Sequence, residues 1–199
     1  MTNVPKVSFI IPVLHFKRPL NKARFFMPRY TLPDVLKDIA ANVTVPYEVI
    51  VICNGQDQEL VDFVGSNKTI DKYCLNSVNV GVARSWNMGA EMAEGELLCY
   101  LNDDVAIGRD AIEQLCALFD DPQVGEVGPA GSYWENLQHH SYPEGDQIVE
   151  TDCISGYCFM VRSETFRKIG GFDIEFTPAG YEEIDFSFRV RKAGLKCVI

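Results

Sequence analysis

Three runs in this chain, Val7 to Val13, Glu48 to Cys53 and Leu97 to Leu101, are apolar at nearly every position. A strand with one wet face alternates polar and apolar residues; these runs do not, so both of their faces must be covered. Segments of helical period lie between them. Leu32 to Ala41 sets Leu32, Val35, Leu36 and Ile39 on one face, Gln58 to Val64 reads as a short helix, and Val82 to Ala93 as a longer one. Arg109 to Phe119 carries a stripe of Ile112, Leu115, Cys116 and Phe119. Buried strands alternating with amphipathic helices imply an α/β fold, a mostly parallel central sheet flanked by helices.

The second half changes character. After a short strand at Val124 to Val127, Ser132 to Thr151 is rich in Tyr, Trp, His, Asn, Pro and Glu without a clear period, the composition of a functional loop. Ser155 to Val161 then reads as a strand, Glu164 to Ile169 as a short helix, Gly170-Gly171 as a turn, and Glu183 to Ala193 as a last helix closed by Gly194. The chain stops inside a further strand, Lys196 to Ile199, as a trimmed or minimal domain would.

Composition removes several function classes. A chain of 199 residues is one domain of ordinary size. A formal net charge of -10 argues against a surface for phosphate backbones, so no nucleic-acid partner is expected. The seven cysteines contain no C-x-x-C pair and read as reduced thiols of a cytoplasmic protein, which leaves a thiol redox function without its motif. No apolar run approaches membrane-spanning length, and Met1-Thr2-Asn3 does not open a signal peptide.

The chemistry-bearing residues sit where strands end. Leu101-Asn102-Asp103-Asp104-Val105 follows the third apolar run, and ligands of open α/β sheets bind at the C-terminal ends of strands. Adjacent carboxylates there suit a hard cation such as Mg²⁺ or Mn²⁺, which in turn suits a diphosphate. The tripeptide taken alone reads equally as a turn capping the next helix. Phe9-Ile10-Ile11-Pro12-Val13 closes the first strand, and Val51-Ile52-Cys53-Asn54-Gly55-Gln56-Asp57 the second. Asn79-Val80-Gly81-Val82-Ala83-Arg84-Ser85-Trp86-Asn87-Met88-Gly89 opens a helix at a glycine that lets backbone approach a ligand. Gly171-Phe172-Asp173 precedes Tyr181-Glu182-Glu183-Ile184-Asp185-Phe186-Ser187-Phe188-Arg189, and Arg191-Lys192-Ala193-Gly194 closes that helix.

In this order the motifs resemble family 2 glycosyltransferases, which have the GT-A fold; the resemblance runs from about Val7 to Lys196. It implies one domain over residues 1–199, with a nucleotide-sugar half over 1–105 and an acceptor half over 106–199. It implies a metal-dependent enzyme that moves a sugar from a nucleotide-diphosphate donor, with inversion, to a hydroxyl on a glycan, lipid-linked or protein acceptor. Pro12, Val13, Asn54 and Asp57 would border the base and ribose. Asn79, Arg84, Asn87, Asn102 and Asp103 would line the donor side. Asp104 would be the direct ligand of Mn²⁺ or Mg²⁺, and Glu183 the catalytic base. Trp134 and His139, whose flat faces and polar edges suit a sugar, would meet the acceptor with Glu182, and Trp134 reads equally as packing the loop onto the sheet. Glu183 begins a helix whose dipole lowers a carboxyl pKa, so burial or Glu182 has to raise it again. Read without the upstream motifs, Glu182 and Glu183 are ordinary N-terminal helix acids, with Asp185 and Arg189 a surface pair.

The chain also departs from the family pattern. Cys53 stands where the family usually has Asp, and a thiol is a poor acceptor for a base N–H, a role Asp57 could take over. Glu183 replaces the commoner Asp. The chain ends before the metal-binding His that many members carry. Lys17, Arg18, Lys22, Arg24 and Arg29 form a basic run with no acid until Asp34. Such a run is most often a solvated loop; the functional reading is that it draws an anionic ligand, either the donor diphosphate or an acceptor on a lipid phosphate or anionic glycan, the lipid case with peripheral membrane association. A sugar nucleotidyltransferase would need a glycine-rich loop after the first strand, and no glycine precedes Gly55. A non-catalytic module binding nucleotide sugar or glycan is the remaining alternative.

Overall fold

The apolar runs form the strands expected of them. In the computed structural model, which describes residues 6–17 and 30–199, β1 (Val7–Val13) is followed by α1 (Leu32–Asn42), β2 (Tyr47–Asn54), α2 (Gln58–Ser66), β3 (Lys72–Asn76), α3 (Val82–Met92), β4 (Leu97–Leu101) and α4 (Ala111–Leu118). Then come β5 (Val124–Val127), β6 (Gly131–Glu135), β7 (Gln138–Ser141), β8 (Glu150–Thr151), β9 (Cys153–Ile154) and β10 (Cys158–Arg162). The chain closes with α5 (Ser163–Ile169), α6 (Glu182–Lys192) and β11 (Lys196–Val198).

Eight strands make one sheet in the order β3-β2-β1-β4-β10-β5-β11-β8. The first four pair in parallel, and β11 runs parallel to β5. β10 is antiparallel to both β4 and β5, and β8 is antiparallel to β11. Alternate side chains of each strand enter opposite cores. Phe9, Ile11, Val49 and Val51 pack with α1, α2 and α4, whereas Ile10, Ile50 and Ile52 pack with α3, α5 and α6. The second core is aromatic at its centre: Trp86, Tyr100, Phe159, Phe166, Phe172 and Phe186 interlock, with Trp86 4.9 Å from Phe172 and Phe172 4.7 Å from Phe186 between ring centroids.

Two features depart from the sequence reading. β3 lies at the sheet edge with half-buried and exposed residues alternating, so no apolar run announces it. The segment read as a loop over Ser132 to Thr151 holds a hairpin of β6 and β7 that joins β9 in a three-stranded sheet, and β8 on the main sheet. The polar, exposed Gln138-His139-His140-Ser141 has neither strand nor helix period, which hides it. Of the basic run, Arg18, Lys22, Arg24 and Arg29 lie outside the described residues, and Lys17 pairs with Glu59. Among the described residues no helix is long and apolar enough to cross a membrane.

Candidate active site

Parallel pairing brings the C-terminal ends of β1, β2 and β4 to one edge of the sheet. From the end of β4 the Asn102-Asp103-Asp104 turn leaves the sheet, with Asp103 buried and Asp104 half-buried. β10 runs back beside β4 with Cys158 opposite Leu101, which carries the preceding Gly156-Tyr157 turn to the acidic run. There the Asn102 N–H donates to the Tyr157 carbonyl at 2.9 Å. A Cβ on Gly156 would stand 3.0 Å from Cδ of Glu183 and 3.2 Å from its Oε1. One two-residue turn therefore bonds the start of the acidic run and carries the Glu183 carboxyl.

Tyr181, with a left-handed φ of 72°, turns the chain into α6. Glu182 is buried and its carboxylate accepts the Gly180 N–H, so it braces this turn. Glu183 is half-buried. Burial pushes its carboxyl above the ordinary glutamate range, its own backbone N–H works the other way, and the charge of Glu182 adds to the rise. Desolvation outweighs the backbone bond here, the direction a general base requires.

Most of the expected donor-side residues are committed to holding backbone. Asn54 is buried; its Nδ2 donates to Asn79 Oδ1 at 2.8 Å and its Oδ1 accepts the Val80 N–H at 2.8 Å. Asn79 Oδ1 also accepts the Gly81 N–H at 2.9 Å, so the two amides shape the loop that enters α3. Asn87 and Phe172 exchange two hydrogen bonds, both 2.9 Å. Arg84 donates to Thr177 Oγ1 at 2.8 Å, and the Val82 N–H donates to the Pro178 carbonyl at 2.9 Å. The loop before α6 is thereby fastened to the N-terminus of α3. Gly81, at φ 87°, is required there, because a Cβ would meet the Pro178 oxygen at 2.9 Å.

Asp57 caps α2 through the Leu60 N–H at 3.2 Å and accepts the Phe16 N–H at 2.8 Å. The Phe16 bond leads the causes that hold its carboxyl below the usual range. Pro12 is half-exposed at the strand end, whereas the Val13 side chain is buried in the core. Burial pushes the Cys53 thiol up to about 11, so it stays protonated at neutral pH.

Trp134 and His139 come together on the β6–β7 hairpin, ring centroids 6.1 Å apart. Trp134 Nε1 donates to Ser132 Oγ at 2.8 Å, and the ring meets Phe188 of α6 edge-on at 6.2 Å. The hollow bounded by Glu135, Asn136, Gln138, His139 and His140 shares no residue with the Gly156–Glu183 contact.

Among the described residues no three His, Cys, Asp or Glu gather into a metal cage. The oxygens of Asp103 and Asp104 fit a hard cation in another mode. Mg²⁺ commonly takes one or two carboxylates and completes its shell with phosphate oxygens and water.

Residues 29–170 match the model of glycosyl transferase family 2. The chain belongs to this family. The family 2 domain is 22% identical, over 75% of its length, to a glucosyl-dolichyl phosphate glucuronosyltransferase of Haloferax volcanii, and covers 53% of that protein. It is 25% identical, over 98% of its length, to the O-antigen biosynthesis protein RfbC of Myxococcus xanthus, and covers 16% of it. The chain thus spans about half, or less, of the curated relatives it matches. In fold it is similar to GalNAc-T7, solved with UDP, GalNAc and Mn²⁺, at a TM-score of 0.77 and 15% identity over 100% of this chain and 43% of that one. It is also similar to the mannosyltransferase PcManGT of Pyrobaculum calidifontis, solved with GDP-Man and Mn²⁺, at 0.70 and 15% over 98% and 55%. The fold is GT-A, as the resemblance implied.

Sequence reasoning missed Gly156 and Tyr157, which fall inside a segment read as continuous strand. It also missed Glu126, although a lone acid within the apolar run Val124 to Val127 was a signal.

Proposed function

We propose that this chain is the catalytic domain of an inverting, metal-dependent glycosyltransferase that uses a nucleotide-diphosphate sugar. The observation that carries the reading is the Gly156-Tyr157 turn, which bonds Asn102 through one residue and packs on the Glu183 carboxyl through the other. Residues 1–105 would hold the donor and 106–199 the acceptor. Asp103 and Asp104 would hold Mn²⁺ or Mg²⁺ against the diphosphate, with Asp104 the direct ligand. When bound, such a cation neutralises charge developing on the leaving diphosphate. Glu183, kept basic by burial, takes the acceptor hydroxyl proton as that oxygen bonds to the anomeric carbon and the bond to the diphosphate breaks. Asn54, Asn79, Arg84 and Asn87 act by fixing the loops around the donor. The names of the two curated relatives support a lipid-linked or polysaccharide acceptor.

The test is a donor panel with Mn²⁺ and with Mg²⁺, read as nucleotide-diphosphate release, with Asp104→Ala and Glu183→Gln as controls. Turnover lost in both variants is the expected result. Nucleotide binding without any turnover would instead favour a binding module.

A further inference from the structure

The β6–β7 hairpin carries a group of side chains that the proposed chemistry does not use. Asn136 and Leu137 take left-handed φ values of 50° and 60°, which turns the chain tightly and lays β7 back along β6. Around that turn Glu135, Asn136, Gln138, His139 and His140 wall an open hollow of about 320 Å³. Tyr142 follows β7. Its ring lies 4.5 Å from that of His139, tilted by 48°, and the residue is 69% exposed, so most of the phenol ring meets solvent.

The hairpin is fastened to the helix that presents Glu183. β6 pairs with β9 at Gly131 and Ser132. The Trp134 N–H donates to Asp152 Oδ2 at 2.7 Å, and the other oxygen of Asp152 meets Arg191 of α6 at 2.7 Å. The edge-on contact of Trp134 with Phe188 adds a second tie to α6. One helix thus carries the Glu183 carboxyl at its start and braces the hairpin from its later turns.

The walls say what the hollow can hold. Each of the five side chains ends in a planar carboxylate, amide or imidazole that donates or accepts hydrogen bonds. Sugar hydroxyls, each both donor and acceptor, complement such groups, and the C–H face of a pyranose ring complements an exposed aromatic ring such as Tyr142. Among the described residues no Lys or Arg walls the hollow and one acid does, the wrong balance for a phosphate or a uronate. No aliphatic side chain walls it either, which does not suit a lipid tail.

We infer that this hollow, with Tyr142 beside it, is a subsite for uncharged sugar residues of a glycan acceptor, separate from the place where Glu183 meets the reacting hydroxyl. The inference rests on the reading of residues 106–199 as the acceptor half.

Titration of the wild-type chain, without donor or metal, tests it. The probes are neutral tetrasaccharides of glucose, mannose, galactose and N-acetylglucosamine, with tetragalacturonate as the charged comparison. Calorimetry and tryptophan emission read binding. The chain has two tryptophans, and Trp86 is buried in the core, so a change in emission reports Trp134 beside His139. At least one neutral tetrasaccharide should bind, about tenfold or more tighter than tetragalacturonate. Gln138→Ala and Tyr142→Ala truncate exposed side chains, a change the fold tolerates. Each should weaken that binding about fivefold. The inference is overturned if no neutral tetrasaccharide binds, if tetragalacturonate binds as tightly, or if the two variants bind as tightly as wild type. A chain that binds glycan in this way and turns over no donor overturns the catalytic reading instead.

Discussion

The carboxyl of Glu183 fills the space that a side chain on Gly156 would need, its Cδ only 3.0 Å from where that Cβ would stand. Gly156 is not in the left-handed region, so alanine is compatible with its backbone. Gly156→Ala should therefore lower stability by no more than about 1 kcal/mol, because the end of a glutamate side chain can swing aside. It cannot swing without leaving its position. Turnover should fall about 10²-fold, as a displacement near 1 Å does in an oriented site. Urea unfolding and nucleotide-diphosphate release, measured on the same preparation, separate the two effects.

Glu182 sets part of the proton affinity of its neighbour. Its negative charge adds to the rise that burial gives Glu183. A base works in its deprotonated form, so the acidic limb of kcat/KM reports this carboxyl. Glu182→Gln removes the charge while keeping an oxygen for the Gly180 N–H. The acidic limb should move to lower pH, and a limb that stays in place would show that burial alone sets it.

Glu126 also makes stability depend on pH. Its folded value of about 8 lies above the ordinary 4.5. Between those two values the folded chain holds a proton that the unfolded chain has lost, so its contribution declines as pH rises through that window and is level above it. Glu126→Gln should therefore gain on wild type in urea midpoint from about pH 5 to pH 8, then hold a constant lead.

The Asn87 amide closes a reciprocal pair with the Phe172 backbone, two bonds of 2.9 Å. Asn87→Ala leaves a half-buried N–H and C=O without partners, and the fold should lose about 2 kcal/mol. Asn87→Asp can accept but not donate and should fall between alanine and wild type.

Much of this architecture was legible because burial on both faces writes an apolar run into the sequence. β1, β2 and β4 appear at their expected places, and so does the α1 stripe of Leu32, Val35, Leu36 and Ile39. β3 was not legible, since an edge strand alternates weakly, and neither was the polar β6–β7 hairpin. For the candidate site, residue type singled out Asp104 and Glu183. The Gly156-Tyr157 turn, which bonds Asn102 and packs on Glu183, is in place only because β10 returns beside β4, a pairing between segments far apart in sequence. Asn54, Asn79 and Asn87 were read as ligand-facing, whereas their amides hold backbone; an amide suits either task, and only geometry separates them.

Asp104→Ala tests the cation site directly. Binding of UDP or GDP should be strengthened by Mn²⁺ in the wild-type chain and should lose at least about tenfold of that gain in the variant. Ordering by hard oxygen donors also predicts that Mg²⁺ substitutes for Mn²⁺. Titration calorimetry with and without the metal reads both.

We propose that Glu183 and the Asp103-Asp104 turn form one catalytic site. Steady-state nucleotide-diphosphate release with Mn²⁺ and a donor that the wild-type chain turns over, repeated with Glu183→Gln, tests this. The expected result is a kcat lowered about 10²- to 10⁴-fold with the donor dissociation constant unchanged, the signature of a lost general base beside an intact donor site. Turnover by Glu183→Gln at the wild-type rate would contradict it.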